Sequence, residues 1–456
     1  MSAHTSIASS ERLSAWTKIK YAFAGLGGGM TDLPLDILLL PFYTEVLGVP
    51  TAIAGWVALA AGVWDAVTDP VMGTLSDATR TRMGRRRVYF LIGAVPLGFS
   101  FWWLFNPFMS NFAASFLAAF LIFRLSLTMV LIPHFALGAE LSPNYDERTS
   151  IMGYNRGFWI LGLLFGVFIP VALMEVYTDD PHKPYAMMGL IMGIFIIFSV
   201  LVTFFGTKEN PECWRETRRV SYLQGLKILF KNKPYVIVQV AYLLYHTAQA
   251  IPVTLLFYYA VHWLHISESD MLLSIPFYLV LAIVSVPLWV KFTQKTNKKL
   301  AFGAALFVST MGALLFLTVP EGGAAVLFYC LMGFMGVGYG GMMTIPSSIL
   351  ADVVDVDELK TGERREGLYF GTWDFIRKLA SNLGKWAPMM GLALLGYIEG
   401  AEDQLPSVRE GIRLMFSVGP AIVFLIGVAV MLKFPITRAE HDDIRKQLDE
   451  MRRKGE

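Results

Sequence analysis

Apolar runs of about 20 residues recur twelve times along this chain, and each is long enough to cross the hydrocarbon core of a bilayer. Because lipid cannot satisfy backbone polar groups, such runs are expected to fold as helices. A mean hydropathy of +0.52 agrees with a multi-pass, all-helical membrane protein rather than a soluble globule. The predicted spans are 21–47, 51–77, 88–109, 112–138, 150–175, 185–206, 235–263, 270–290, 300–319, 323–350, 366–398 and 408–433.

Lysine and arginine are concentrated on one side of these predicted helices. The linkers after the even-numbered helices are basic, whereas the linkers on the other side, such as 48–50 and 262–270, are short and nearly free of both residues. The positive-inside rule therefore predicts that both termini are cytoplasmic. Residues 1–20 lack the apolar core and cleavage site of a signal peptide, and we expect a multi-pass protein of the inner (plasma) membrane.

The chain is expected to consist of two six-helix halves, because its longest internal polar stretch lies between helices six and seven. The predicted division is 1–206 for the first half with the cation site, 207–234 for a cytoplasmic linker, 235–433 for the second half and 434–456 for a charged tail. Ala139-Glu140 at the end of helix four matches Ala351-Asp352 at the end of helix ten. A six-helix repeat with equivalent loops is the organisation of major-facilitator transporters, which bind solute near the membrane midplane.

Two aspartates, Asp65 and Asp69, lie in the middle of the second apolar run. A charge at the bilayer centre costs about 2.5–3.5 kcal/mol even on insertion scales, so two on one helix require a compensating partner. Their spacing of four residues places both carboxylates on the same helix face, where they can enclose a cation or share a proton. The sequence therefore predicts a coupling-ion site here.

The loop after helix two has the pattern Gly73-x-x-x-Asp77-x-x-Arg80-x-x-x-Gly84-Arg85-Arg86-Arg87. Glycine lets helix ends approach closely, the aspartate can pair with an arginine, and the arginines can anchor at an anionic membrane surface. The pattern indicates a conformational latch. The alternative interpretation is a simple basic anchor.

Three motifs together resemble the glycoside–pentoside–hexuronide:cation symporters, whose best-known member is the melibiose permease and whose relatives include sodium-dependent lysolipid transporters. They are Trp64-Asp65-x-x-x-Asp69-Pro70, the Gly73 to Arg85 loop, and Ala351-Asp352-x-x-Asp355 followed by Gly362-x-Arg364. The resemblance implies that Asp65 and Asp69 bind sodium, lithium or a proton. It places Thr68 beside them and gives the helix-four residue Thr128 a role in holding sodium. The positions to which we assign gating are Gly73, Asp77, Arg80, Gly84, Arg85, Asp352 and Arg364.

The resemblance breaks down at the positions of two galactoside-binding acids, which correspond here to Gly29 and Leu131. An apolar Leu131 cannot accept hydrogen bonds from a sugar, so close analogues of melibiose are poorly suited as substrates. Basic residues do match on helices five and eleven, as Arg156 and Lys378. Two cations that face one cavity suit a carboxylate, sulfate or phosphate group, and also the hydroxyls of a neutral glycoside.

Further candidates come from depth along the helices rather than from the resemblance. Asp32, Asp65 and Arg124 all lie roughly a dozen residues from an outer helix end, and a buried arginine requires an anion. We therefore predict that Arg124 pairs with Asp32 or with the Asp65/Asp69 site. Asp36 follows Asp32 by one turn, and the nearby prolines either open this helix toward a cavity or only kink it.

Four residues near these positions leave two interpretations open. Trp64 and Trp373 could stack on a sugar face or could pack between helices. On helix eleven, Asp374 and Lys378 have the spacing of an acid-then-base pair on one face, which fits a structural ion pair as well as a substrate site.

These observations predict a secondary active transporter that couples a sodium ion or a proton to a sugar or glycoside-like solute. The alternatives are a cation-coupled carrier of an amphipathic or lipid-like solute and a membrane sensor that moves nothing. An enzyme is not expected, because no nucleophile, base and metal ligands share one depth. The expected partners are a small solute, a monovalent cation and membrane lipid, with no nucleic acid, no cofactor and no metal beyond the coupling cation, and the chain is expected to be a monomer. The tail after Pro435 is predicted to be a solvated charged helix without chemistry.

Overall fold

A computed structural model describes residues 13–142, 145–209, 229–323, 325–362, 365–436 and 438–455. Every regular element among these residues is helical. The helices are α1 (Ala15–Val46), α2 (Thr51–Ala78), α3 (Arg87–Phe105), α4 (Phe112–Glu140), α5 (Tyr145–Val176), α6 (Lys183–Gly206), α7 (Lys233–His262), α8 (Glu268–Lys295), α9 (Lys298–Leu315), α10 (Ala325–Thr361), α11 (Glu366–Leu395), α12 (Pro406–Met431) and α13 (Arg438–Gly455).

Each predicted apolar span coincides with one of the helices α1 to α12. The largest difference is at α10, which continues to Thr361 although its apolar run ends near residue 350. Its last turns are polar, since a helix can extend past the apolar run once water is available to the side chains. Among the described residues, eleven helices are long and apolar enough to span a membrane. α11 has the length but contains several charged residues, which include Asp374, Arg377, Lys378 and Lys385.

The chain divides into two units, residues 1–217 with 399–401 and residues 218–398 with 402–456. In the first unit the most extensive helix pairs are α1 with α5, α1 with α6, α2 with α4, α3 with α4 and α3 with α6. In the second unit the corresponding pairs are α7 with α11, α7 with α12, α8 with α10, α9 with α10 and α9 with α12. Each pair in the second unit is displaced by six helices from one in the first, as a repeat of six helices requires.

Glycine faces set the close approach of helices within each unit. A side chain added at Gly29 of α1 would collide with the backbone carbonyl of Trp159 in α5. In the second unit, a side chain at Gly336 of α10 would collide with the carbonyl of Tyr278 in α8. The two glycine-rich segments therefore serve helix packing, where a missing Cβ lets backbones touch.

α1 is irregular around its two prolines. Residues Pro34–Leu38 and Phe42–Val46 form π-helical turns instead of regular α-helix. Proline has no N–H to donate, so the hydrogen-bond pattern shifts there, and π-helical turns frequently mark functional sites. Asp36 lies in the first of these turns and is partly exposed.

Candidate cation and solute sites

Asp65 and Asp69 of α2 converge on one hydroxyl of α4. The Thr128 Oγ1 atom lies 3.2 Å from Asp65 Oδ1 and 2.9 Å from Asp69 Oδ1. Asp65 and Thr128 are almost fully buried, at 5% and 3% exposure, whereas Asp69 is partly exposed. All three residues lie near the midpoints of their helices, so the structure brings this predicted set together at mid-depth.

The shared hydroxyl cannot neutralise both acids. Thr128 has one hydroxyl proton, so it can donate fully to only one carboxylate at a time. Two carboxylates that both lie within hydrogen-bond distance of one hydroxyl are close enough to repel each other when both are charged, and a bound cation or proton relieves the repulsion. Carboxylate and hydroxyl oxygens are also the ligands that hard cations prefer. The arrangement can therefore hold one small cation or one proton.

Thr68 lies beside this group, and its hydroxyl bonds to the backbone. The Thr68 Oγ1 atom donates to the carbonyl oxygen of Asp65 at 3.2 Å, and the residue is 8% exposed. Its oxygen can still accept or coordinate, but its proton is occupied by the helix itself. Trp64 is 39% exposed.

Asp32 has a partner that sequence reasoning missed. The indole Nε1 of Trp159 in α5 donates to Asp32 Oδ2 at 3.0 Å. Arg156 stands three residues before Trp159 on the same helix and is exposed. The sequence contains one hint of this contact. The i, i+3 spacing places Trp159 on the same face of α5 as the candidate solute-binding residue Arg156.

Arg124 contacts an aromatic ring. Its guanidinium lies 4.9 Å from the ring centroid of Phe120, one turn earlier on α4. Its Nε atom is buried and has no hydrogen-bond partner among the described residues. A cation over a ring face gains part of the stabilisation that an anion would give. Its predicted pairing with Asp32 or with the acidic pair stays a prediction.

Of the two interpretations left open for Asp374 and Lys378 on α11, the structural ion pair forms with a different basic residue. Asp374 Oδ1 instead accepts a hydrogen bond from Arg377 Nε at 2.8 Å, because the longer arginine reaches back over one turn at i, i+3. Lys378 is partly buried one position further round the helix. Trp373 is 6% exposed and stacks on Tyr242 of α7 with ring centroids 3.7 Å apart, so its ring packs between helices.

The residues of the predicted latch in the first unit form an ion-pair network whose arginines Arg85 and Arg86 are buried. Arg85 Nη2 and Arg86 Nη2 lie 2.6 and 3.0 Å from Glu140 Oε1 at the end of α4, and Arg86 also pairs with Asp77. Burial disfavours the charged Arg86 side chain, but hydrogen bonds and charge from Glu140 and Asp77 raise its pKa above the usual value. Arg86 therefore stays charged. Arg80 donates to the carbonyl oxygens of Asp77 and Thr79 at 2.6 and 2.9 Å.

The two loop glycines differ in what they do. Gly84 has φ +107°, and a side chain there would collide with the Glu209 carboxylate, so glycine is required. A side chain at Gly73 would meet only Ile132 at 4.0 Å, an ordinary van der Waals contact. The expected close helix approach at Gly73 is therefore wrong.

Glu209, just after α6, closes the first-unit network from the other side. Its carboxylate accepts the backbone N–H groups of Arg85, Arg86 and Arg87 at 2.8, 2.7 and 2.9 Å. These are unsatisfied donors at the start of α3, where a negative charge also complements the helix dipole. Nothing in the sequence indicated this contact, because Glu209 is more than 120 positions away.

The second unit has an equivalent but looser cluster at the end of α10. Lys298 Nζ lies 2.6 Å from Asp352 Oδ1, and His441 Nε2 of α13 lies 3.2 Å from the same atom and 3.4 Å from Asp355 Oδ2. Arg364 lies outside the described residues. The tail is helical as predicted, but it is not simply solvated: Leu448 is 2% exposed. The reason is that α13 packs against α10.

Comparison with known proteins identifies the class. A family model described as "MFS/sugar transport protein" matches residues 20–438. The chain belongs to this family. It is 27% identical to "Uncharacterized symporter sll1374" of Synechocystis, over 96% of this chain and 97% of that one. It is also 27% identical to the "Glucuronide carrier protein homolog" of Escherichia coli, over 96% of each chain. A third relative, "Sodium-dependent lysophosphatidylcholine symporter 1-A" of Danio rerio, is 24% identical over 97% of this chain and 90% of that one.

Solved transporter structures confirm the predicted fold class. A D-xylose–proton symporter superposes with a TM-score of 0.66 at 14% identity, covering 92% of this chain and 98% of that one. A bacterial homolog of the human lysosomal transporter Spinster gives 0.68 at 10% identity, covering 93% and 98%. At such low identity the likeness concerns the fold alone. The protein is a multi-pass membrane protein with the major-facilitator fold.

Proposed function

We propose that this protein is a symporter that couples entry of a sodium ion or a proton to uptake of a sugar or glycoside-like solute. The observation that carries the proposal is the convergence of Asp65 and Asp69 on Thr128 at mid-depth. Membership of a sugar-transport family and the symporter names of several relatives support it. The resemblance of the three motifs to those of the glycoside–pentoside–hexuronide:cation symporters supports it as well.

Charge neutralisation is the basis of the proposed mechanism. A cation or proton from outside binds at Asp65 and Asp69, with Thr128 as a further oxygen ligand. Partial neutralisation lowers the barrier to closing the cavity around the solute, because one bound cation or proton reduces the negative charge of the two carboxylates that has to enter an occluded, low-dielectric site. The protein then opens to the cytoplasm by alternating access. The membrane potential adds about 2.3 kcal/mol per charge per 100 mV.

The inner-end networks are proposed to act as conformational latches, one within each unit. Glu140 pairs with Arg85 of the loop after α2, and Asp352 pairs with Lys298 at the start of α9. This assignment places both termini in the cytoplasm, with the basic loops on that side of the plasma membrane.

A lipid-like solute is the second candidate. It is favoured by the similarity to the sodium-dependent lysophosphatidylcholine symporter of Danio rerio and by the apolar Leu131. Uptake of a lysophospholipid, with no uptake of glycosides under the same conditions, would select it.

Thermal stability of the purified protein in sodium against matched potassium, at several pH values, tests the cation site. A ligand at 100 times its dissociation constant should stabilise by about 2.7 kcal/mol. We expect sodium-specific stabilisation that is lost in Asp69→Asn and kept in Asp270→Asn, a matched charge removal in the exposed first turn of α8. Sodium stabilisation that survives in Asp69→Asn would contradict the site. If sodium has no effect, the same comparison of variants across pH tests for a proton.

A further inference from the structure

α7 carries two polar side chains near its midpoint, His246 and Gln249, one turn apart. Both side chains are partly exposed. His246 Nε2 and Gln249 Oε1 are nevertheless buried atoms, and neither has a hydrogen-bond partner within the part of the chain that the structure describes. The other end of the Gln249 amide is fixed, because its Nε2 donates to the Tyr278 hydroxyl of α8 at 2.7 Å.

Aromatic rings from four helices surround these two residues. The His246 ring lies 4.4 Å from Tyr242 and 4.2 Å from Tyr245, between ring centroids. Tyr242 stacks on Trp373 of α11. Beyond Gln249, Tyr278 lies 5.2 Å from Tyr339 of α10. Apolar ring faces and unused hydrogen-bonding atoms are thus combined at one depth.

An unpaired buried polar atom is destabilising, at about 1–3 kcal/mol each. Within a membrane, apolar neighbours cannot relieve that cost, so such atoms point to a partner that arrives from outside the fold. His134 in α4 also has an unpaired ring nitrogen, but its side chain is fully buried and bonds Asn155 at 3.0 Å. His246 and Gln249 differ because each side chain is partly exposed.

We infer that His246 and Gln249 form the second unit's contact with the solute, and that this solute presents a hydroxyl-rich ring, as a glycoside does. The inference rests on the proposed transport function and deepens it. A sugar hydroxyl can both donate and accept, so it can satisfy an imidazole nitrogen and an amide oxygen together. The apolar face of a sugar ring can lie against the nearby aromatic rings.

The local charge balance supports a neutral recognition group at this site. Among the described residues, the charged side chain that acts electrostatically on His246 is Arg377, and it pairs with Asp374 at 2.8 Å. The acyl chain of a lysophospholipid cannot hydrogen-bond to either unpaired atom, and its glycerol backbone offers one free hydroxyl where a sugar ring offers several. The chemistry at this depth therefore favours hydroxyl recognition over acyl-chain recognition.

The test is solute counterflow in proteoliposomes, which requires no ion gradient. The probes are 4-nitrophenyl glucoside, galactoside, xyloside and glucuronide, with lysophosphatidylcholine for comparison. The variants are His246→Phe and Gln249→Leu. The matched control is Thr247→Val on the same helix, since the Thr247 hydroxyl already has a partner, the carbonyl oxygen of Ala380 at 3.2 Å.

We expect counterflow of at least one glycoside, with KM raised about tenfold in each variant, as for the loss of one hydrogen bond to the solute. KM should be unchanged in Thr247→Val. His246→Phe should melt no lower than the unmodified protein, because the lost nitrogen had no bond; a merely structural role would lower the melting temperature instead.

Two results would overturn the inference: KM values within twofold of the unmodified protein in both variants, or counterflow of lysophosphatidylcholine and of no glycoside. The proposed function fails separately, if glycoside uptake occurs without dependence on a sodium or proton gradient. Counterflow can still be measured in that case, so failure of the inference and failure of the proposed function can be distinguished.

Discussion

The two units share their helix packing but differ in the chemistry at mid-depth. α2 and α8 occupy equivalent positions in the six-helix repeat, since α2 pairs with α4 and α8 pairs with α10. α2 contributes two carboxylates that converge on Thr128, whereas α8 contributes Tyr278, which bonds Gln249. Repeated packing therefore does not require repeated function. The first unit has the ligands for a cation, and the second has aromatic rings and neutral polar groups suited to a solute.

The inner ends of the two units also share an arrangement but differ in its details. Glu140 and Asp352 stand at matching ends of α4 and α10, and each pairs with a basic residue. The Glu140 pairs involve Arg85 and Arg86 side chains that are only 6% and 7% exposed, whereas the Lys298 side chain is 31% exposed. The first-unit network should therefore be the stronger one.

The largest expected effect tests whether cation binding belongs to the first unit alone. The double variant Asp65→Asn with Asp69→Asn should abolish gradient-driven uptake, because neither side chain can then neutralise a cation. Asp270→Asn in the equivalent helix of the second unit should leave uptake intact. The measurement is radiolabelled solute uptake into vesicles, and gradient-driven uptake by the double variant would contradict the proposed mechanism.

The next effect compares the two inner-end networks. Glu140→Gln leaves two largely buried guanidinium groups without their carboxylate and should destabilise by about 3 kcal/mol, as for breaking a buried pair. Asp352→Asn should cost about 1 kcal/mol or less, because Lys298 remains accessible to water. Thermal melting of both variants under identical conditions measures this difference. Equal losses would show that the two clusters have the same strength.

A smaller effect is expected at the shared hydroxyl. Thr128→Val keeps the shape but removes the oxygen between the two acids, and should weaken cation affinity about tenfold, which is about 1.4 kcal/mol. Thr128→Ser should restore it. The control is Thr254→Val in α7, where a buried hydroxyl bonds only its own helix, at Ala250. Titration of the cation-dependent melting shift gives the affinities, and unaltered affinity in Thr128→Val would remove this residue from the site.

The smallest effect concerns α13, the tail helix of the second unit. In the second unit His441 of α13 contacts Asp352, whereas the ion pairs of Glu140 among the described residues are with Arg85 and Arg86. His441→Ala removes contacts to Asp352 and Asp355 and should loosen α13 by less than about 1 kcal/mol, as for a partly exposed ion pair. Faster tryptic cleavage within α13 would report this loosening. The control is Gln447→Ala, whose amide bonds only Asp443 in the same helix. Cleavage rates equal to the control would mean that His441 does not hold the tail.

Much of the fold could be predicted because it depends on local sequence. The apolar runs indicate the number of membrane-spanning helices and most of their limits, although α10 extends beyond its run, and the i, i+4 spacing of Asp65 and Asp69 places both on one face. The pairing of Asp374 could not be predicted in the same way, because Arg377 and Lys378 were both within reach and side-chain length decided between them. The role of Gly73 was also overestimated. Whether a glycine is needed there depends on how close the neighbouring side chain of Ile132 lies, and that distance is set by the packing of the helices.

The sequence by itself determined that this chain is a twelve-helix membrane protein with an acidic pair at mid-depth, because hydropathy and helical periodicity are properties of contiguous residues. Only the tertiary structure decided that Trp159 meets Asp32 and how closely Thr128, which the family resemblance had assigned to the acidic pair, approaches both acids. Thr128 reaches Asp65 across 63 positions, and Trp159 reaches Asp32 across 127. Such contacts depend on the rotation and depth of one helix against another. Those quantities are set by close packing at glycines such as Gly29, which no local pattern specifies.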